Sequence, residues 1–316
     1  MTVPEPAEEI LREGVLCYLA VADEPSPHLT PVVFAYERGA VWATTARSSR
    51  KARLWRADPR ASALVRAGGR AAAFRGEVTT YDALDPASWR RSILRGPLLA
   101  RASARFTIRN LRFFAGYARD AHRVPFAWTP PGRVFLSVGV GEGAALDLTS
   151  KAVIARWGEL GDRVASRRDF RRSAAAAMPD GGAPEEVRRA VGDSGEGVIA
   201  VAAGRGVTTL PAHWRRVAED GCYYATLPAA VLALAGAGPE PPVSLVADRS
   251  SAWRAAGMRG LLLRGRGTVY VPGRVAAGAG SLLDVSGAGE ADAVIRLRPD
   301  QAVWWKGWSS GTVRQS

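Results

Sequence analysis

The stretch Val41-Trp-Ala-Thr-Thr-Ala-Arg-Ser-Ser-Arg-Lys-Ala-Arg-Leu-Trp-Arg-Ala-Asp-Pro59 is the part of the chain from which its fold can be read. It opens as a strand that ends at Thr44-Thr45. A polar turn follows, and an amphipathic helix begins at Ser48 or Ser49, with Ala52, Leu54 and Trp55 on its apolar side, closing before Pro59. Thr44, Thr45, Arg47, Ser48, Ser49, Arg50 and Lys51 therefore converge on one helix N-terminus. Free backbone N–H groups and the helix dipole favour an anion there, and hydroxyl, guanidinium and ammonium donors can close around a phosphate. Arg50 and Lys51 fall in the first helical turn, where the dipole disfavours positive charge by roughly a few tenths of a kcal/mol or more, a cost that a bound dianion offsets. The plainer alternative is that they are surface cations of an arginine-rich chain, and the residues alone leave both readings open.

Working outward, the same pattern recurs. Gly39-Ala-Val-Trp-Ala-Thr44 lies on Gly221-Cys-Tyr-Tyr-Ala-Thr226, and Asp58-Pro-Arg-Ala-Ser-Ala-Leu64 lies on Glu240-Pro-Pro-Val-Ser-Leu-Val246, with no gap between the two blocks. Arg75-Gly-Glu-Val-Thr-Thr-Tyr81 then matches Arg264-Gly-Arg-Gly-Thr-Val-Tyr270 after a short insertion, and Pro130 to Phe135 is matched with Pro299 to Trp304. Each unit reads as a short helix, a run of strands, one helix between strands, and further strands. The first-copy strands are expected at 15–21, 30–36, 41–45, 61–66, 71–81 and 134–138, and the second-copy strands at 197–203, 206–210, 221–226, 243–248, 260–271 and 293–305. Six antiparallel strands with one or two helices suggest a small barrel, so a mainly β fold of two tandem barrels is expected. The division is residues 1–148, a helical connector 149–181, and a second unit 182–316. Between strands of the first unit, residues 86–123 form an insertion that reads as two amphipathic helices broken near Gly96-Pro97.

Composition narrows the function classes. The chain has 316 residues, 47% hydrophobic and 23% charged, which suits a globular protein and excludes a fibrous or disordered one. It holds no apolar run near the ~18 residues of a membrane helix, and its acidic start does not resemble a signal peptide, so no membrane partner and a cytoplasmic location are expected. Cys17 and Cys222 both lie in apolar stretches and read as buried free thiols. His28, His122 and His213 have no partner at metal-ligand spacing, so no metal site is expected. Hydrolase-elbow, Walker and Rossmann glycine signatures are absent. The net charge of +13 favours anionic partners in general, but all except Lys51, Lys151 and Lys306 of the 43 basic residues are arginine, a skew that points to genome composition. No nucleic-acid-binding motif accompanies it, which argues against nucleic acid as the partner.

The order strand, Thr45, turn, Ser49-Arg50-Lys51, helix, Asp58-Pro59, strand resembles the phosphate-binding segment of the pyridoxamine 5'-phosphate oxidase-like FMN-binding split barrels. The resemblance implies that Thr45, Ser49, Arg50 and Lys51 hold the phosphate of FMN or, alternatively, of a 5-deazaflavin, with Arg47 and Ser48 beside them and Thr44 also among the cofactor-binding residues. It also implies that the cofactor lies between two barrels, which a tandem duplication would supply within one chain as an intrachain pseudo-dimer. The second copy has Ala230, Val231, Leu232 and Ala233 where the first has Ser48, Ser49, Arg50 and Lys51, so one cofactor site per chain is expected. The segment Val303-Trp-Trp-Lys-Gly-Trp308 offers Trp304 and Trp305 as rings that could stack on a flat cofactor, core packing being the other reading. No cation precedes the motif on 29–36 and no histidine follows His213, which argues against pyridoxamine phosphate oxidation itself.

The function expected on this resemblance is an FMN- or deazaflavin-dependent oxidoreductase acting on a small organic substrate. The alternative is a non-catalytic flavin- or haem-binding protein of the same fold. No catalytic residue is named, because such chemistry belongs largely to the cofactor. A monomer with an internal pseudo-twofold and a homodimer both remain open.

Overall fold

The computed structural model of the chain describes residues 2–119, 132–172, 178–204, 206–249 and 255–315. The first unit opens with helix α1 (Glu5–Glu13), whose Ala7, Ile10 and Leu11 recur at helical spacing and are buried, with Glu5 and Glu8 in the first turn and Arg12 in the last. Strands β1 (Leu16–Val21), β2 (His28–Glu37), β3 (Ala40–Ala46), β4 (Arg60–Ala67), β5 (Arg70–Tyr81) and β6 (Arg133–Gly139) follow, with helix α2 (Arg50–Ala57) between β3 and β4. Their order β4-β1-β2-β3-β6-β5 is closed by the β4–β5 pairing into a six-strand antiparallel barrel. Two further strands, β7 (Gly143–Asp147) and β8 (Ala152–Trp157), extend the sheet beyond β5.

The second unit repeats this plan. Helix α6 (Glu185–Val191) leads into β9 (Ser194–Ala203), β10 (Gly206–Val217), β11 (Cys222–Pro228), α7 (Ala229–Ala233), β12 (Pro242–Arg249), β13 (Arg259–Tyr270), α8 (Ala279–Ser286), β14 (Asp292–Lys306) and β15 (Ser309–Arg314). The β11–β14 pairing closes the second six-strand barrel. The ladders make the repeat residue by residue. In the first barrel Val41 faces Val138 and Val138 faces Val78, and in the second Tyr223 faces Leu297 and Leu297 faces Gly267. Arg60 faces Glu77 as Pro242 faces Arg266, and Arg70 faces Asp147 as Arg259 faces Lys306.

These registers correct the sequence-based alignment at one end. The counterpart of β6 is the first half of β14, so Arg133 corresponds to Asp292, and residues 299–304 do not take that place. The long strand β14 does in one piece what β6 and β7 do in two, because Val140-Gly141-Glu142 interrupts the first copy between them.

The connector is corrected as well. Expected to be helical, residues 149–181 begin with β8, whose side chains alternate between exposed and covered as an edge strand's do, and continue without helix to a single 3-10 turn at Pro179–Gly182; residues 173–177 lie outside those described. The insertion holds three helices, where two were expected: α3 (Pro86–Leu94), α4 (Gly96–Arg109) and α5 (Leu111–Arg119), broken at Arg95 and Asn110; its last expected residues, 120–123, are outside those described. No described helix is long and apolar enough to cross a membrane.

One barrel interior is filled by Cys17, Leu19, Phe34, Tyr36, Val41, Val65, Phe74 and Leu136. The alternate residues of the same strands, among them Tyr18, Ala20, Leu29 and Leu64, point outward and join Ile199, Leu210, Trp214 and Leu245 of the second barrel in one continuous core. β1 is thus buried on both faces, and the two barrels share a hydrophobic interior.

The polar contacts across this junction obey the repeat. Arg75 on β5 reaches Thr208 of the second barrel and is held from its own side by Glu142 at 3.0 Å; its counterpart Arg264 on β13 reaches Asp23 and the Ser26 carbonyl of the first barrel and is held by Gln301 at 3.0 Å. Ser62 Oγ accepts from the Thr209 N–H at 2.8 Å, and its counterpart Ser244 Oγ donates to the Pro27 carbonyl. The chain therefore has an internal pseudo-twofold whose axis runs between the barrels.

Candidate functional site

Ser49 is the N-cap of α2, its Oγ accepting from the Ala52 N–H at 3.2 Å, so the helix starts where the sequence placed it. Thr45, buried at the end of β3, brings its Oγ1 to 3.1 Å from Ser49 Oγ. Lys51 turns inward from the first helical turn and is buried, its Nζ donating to Thr30 Oγ1 on β2 at 2.8 Å. Burial, followed by the positive charge of Arg133, lowers the Lys51 pKa from 10.5 to about 7; the thiol of Cys17 acts the other way, and among the described residues no carboxylate does. A buried ammonium without a carboxylate beside it is costly unless something anionic compensates it.

Arg133, at the start of β6, stands across the ladder from Ala46 and bonds Thr44 three times, Nε to Oγ1 at 2.9 Å and Nη2 to Oγ1 at 2.7 Å and to the carbonyl at 2.9 Å. Nothing in the local sequence singles Arg133 out. Only the β3–β6 pairing, between segments far apart in the chain, brings it beside Thr44.

The remaining motif residues are engaged elsewhere. Arg50 is exposed and grips Asp23 through two bonds, Nε at 2.5 Å and Nη2 at 2.7 Å. Arg47 pairs with Asp82 at the end of β5, and its backbone N–H bonds the Gly132 carbonyl at 2.8 Å. Ser48 is exposed, and its carbonyl accepts from Arg53 at 2.6 Å. Asp23 is the hub: its carboxylate, 4% exposed, receives Arg50 from one barrel and Arg264 from the other, at 2.8 Å. Burial pushes the Asp23 carboxyl up, but the two guanidinium groups hold it below the usual carboxylate range. His28 lies beside these cations with Nδ1 buried and unpartnered among the described residues; burial first, then Lys51 and Arg264, lower its pKa to about 3, so the imidazole is neutral.

Trp304 and Trp305 occupy opposite faces of β14, each directly across from a glycine. The ring of Trp305 lies over Gly260, where an added Cβ would come to 2.3 Å of it, and that of Trp304 lies over Gly311, at 2.6 Å. Both are half-buried against the shared core, so packing accounts for much of their surface. Trp305 Nε1 is nevertheless buried without a partner among the described residues.

The pseudo-twofold relates two equivalent regions of the junction between the barrels, termed the first and second clefts. The second is an open cavity of about 290 Å³ whose lining includes Thr226, Leu227, Val231 and Asp292 from the second barrel and Arg66 and Leu146 from the first. By the ladders, the matching positions of the first cleft are Thr44, Thr45, Ser49, Arg133, Asp248 and Trp305. Thr44, Arg133 and Trp305 are thereby placed on one cleft, together with the Thr45–Ser49 pair. The first cleft thus carries hydroxyls, a helix start and a guanidinium, donors of the kind that hold a phosphate, and Lys51 lies in the first turn of the same helix. The second has a leucine, a valine and a carboxylate in those places.

Comparison with known proteins places this geometry. Residues 4–100 match the family model described as pyridoxamine 5'-phosphate oxidase. No curated protein matches the chain. Among solved structures, the chain is similar to a pyridoxamine 5'-phosphate oxidase-related, FMN-binding protein of Nostoc punctiforme (15% identity, 47% of this chain and 88% of that one, TM-score 0.35). It is also similar to an FAD-binding protein of Mesorhizobium loti (17%, 46% and 94%, TM-score 0.33) and to a protein named F420 reductase (18%, 45% and 98%, TM-score 0.30). The matched residues 4–100 run from α1 into the start of α4 and include the whole Thr44–Lys51 segment. Residues 4–100 of the first barrel thus match the pyridoxamine 5'-phosphate oxidase family model, and the second barrel, which lies outside that range, repeats the same strand order.

Proposed function

We propose that the chain binds one phosphate-bearing flavin, FMN or alternatively a 5-deazaflavin, in the first cleft and acts as an oxidoreductase on a small organic substrate. The observation that carries this reading is Lys51: an ammonium buried in the first turn of the helix that Ser49 caps, bonded to Thr30 and with no carboxylate partner among the described residues. A phosphate there would restore the missing counter-charge. The flavin, when bound, supplies the hydride or electron transfer. This chain's residues bind and orient: Lys51, Ser49 and Thr45 anchor the phosphate end, Trp305 offers an indole N–H and a flat wall from the second barrel, and the shared core shields the inner side from water.

The experiment is reconstitution of the purified chain with FMN, followed by flavin fluorescence and absorption, in wild type and Lys51→Ala. The variant should keep its far-ultraviolet circular dichroism and weaken FMN binding by about tenfold or more, the loss of one charge-assisted contact. Undiminished FMN affinity in the folded variant would defeat the proposal. Turnover is then sought as oxidation or reduction of the bound flavin by nicotinamide nucleotides and small carbonyl or nitro compounds.

A further inference from the structure

Equivalent positions of the two clefts carry opposite charge. Arg133 faces Ala46 at the β3–β6 edge of the first, and Asp292 faces Pro228 at the β11–β14 edge of the second. Arg133 is held by Thr44, while Asp292 is 6% exposed and receives Lys151 at 3.1 Å and the Gly289 N–H at 2.9 Å. The neighbouring hydroxyls and ammonium change in the same direction: Thr45, Ser49 and Lys51 give way to Leu227, Val231 and Ala233. The second cleft is open, at about 290 Å³, so closure does not keep an anion out of it. Its lining sets Asp147, Glu196 and Asp292 against Arg66 and Lys151, and Lys151 is already taken up by Asp292.

We infer that Arg133 is a phosphate-binding residue of the first cleft, and that Asp292 in its place bars a phosphate from the second. The inference rests on the proposed function and adds to it a residue outside the recognised segment and a reason for one cofactor per chain. The Thr44 bonds fix the guanidinium at the cleft edge, with both Nε and Nη2 engaged on the Thr44 side. Thr44, which Arg133 holds, is followed directly by Thr45, whose hydroxyl meets that of the helix cap Ser49, so the guanidinium borders the proposed phosphate position. At the second cleft a phosphate would meet a buried carboxylate, and like charges at such range exclude each other.

The test compares FMN with riboflavin, which has the same ring system without the phosphate. Dissociation constants for both, and bound FMN per chain, are measured for wild type, Arg133→Gln and Arg133→Lys. Wild type should bind one FMN per chain. Arg133→Gln should weaken FMN by about tenfold or more while moving riboflavin by less than about twofold, and Arg133→Lys should recover part of the loss. A purely structural role would weaken both ligands together, and that result overturns the inference, as does a wild-type stoichiometry of two. If Arg133→Gln leaves FMN affinity intact while Lys51→Ala abolishes it, the inference fails and the proposed function stands. Should wild type bind neither flavin, the proposed function fails and takes the inference with it.

Discussion

Replacing Lys51 with methionine keeps the length of the buried chain and removes its charge, and the consequence is a pH dependence with a definite sign. The pKa of Lys51 falls from 10.5 to about 7 on folding. At about 1.4 kcal/mol for each factor of ten, burying this ammonium costs the empty protein on the order of 5 kcal/mol when it must stay charged. A lysine depressed in the folded state binds fewer protons there than in the unfolded chain at pH values between the two pKa values. Stability therefore rises with pH in that interval. The cost is fully present below pH about 7, declines above it, and is gone above about 10.5. Urea unfolding of wild type and Lys51→Met at a series of pH values reads it directly. The wild type should gain about 3 kcal/mol relative to the variant between pH 7 and 9.5. Saturating FMN should flatten the difference, because a phosphate beside the ammonium raises its pKa again. A gap between the two proteins that does not change with pH, or that widens in the opposite direction, would refute the reasoning.

Two further outcomes are expected. Asp23→Asn leaves Arg264, whose side chain is 3% exposed, buried without its carboxylate, and should cost about 3–5 kcal/mol in urea unfolding. The double variant Asp23→Asn/Arg264→Met should recover part of that, and the acid-side loss of stability expected of wild type as pH falls through the lowered Asp23 pKa should be absent from Asp23→Asn. Gly260→Ala would place a Cβ 2.3 Å from the Trp305 ring and 2.6 Å from Asp248 Cβ; displacement of the indole, read by tryptophan fluorescence, should accompany a loss of about 1–3 kcal/mol.

What could be read from the sequence follows from the range of the interactions involved. The twelve strands of the two barrels carry local signals of alternation and turn residues, and each is found within three residues of its expected start. The expected end of β10 at 210 is the exception, since the strand runs on to Val217. Ser49 as a cap and Lys51 in the first turn are equally local. The strands β7, β8 and β15 were not legible: they lie outside the closed barrels, β8 and β15 as edges and β7 between β5 and β8, and the exposed, arginine-bearing Ala152–Trp157 reads as readily as helix. The Arg50–Asp23 and Arg133–Thr44 contacts were hidden for a different reason. The first depends on how residues 22–27 fold between β1 and β2, and the second on a ladder joining residues 89 apart. Pairing register is a property of the closed barrel, and no stretch of sequence contains it.

Joining two barrels by a peptide link changes what dilution can do to the cleft between them. In a pair of separate subunits a cleft formed by both is lost when the pair comes apart, and its occupancy depends on how much protein is present. Here the Arg264–Asp23 and Arg75–Thr208 contacts form within one molecule, at an effective concentration set by the tether and not by the solution. Every molecule carries a complete cleft at any concentration, so flavin bound per chain should be the same at nanomolar and micromolar protein. The link also frees the two walls to diverge: a substitution such as aspartate at 292 alters one cleft alone, whereas in identical subunits it would have appeared in both.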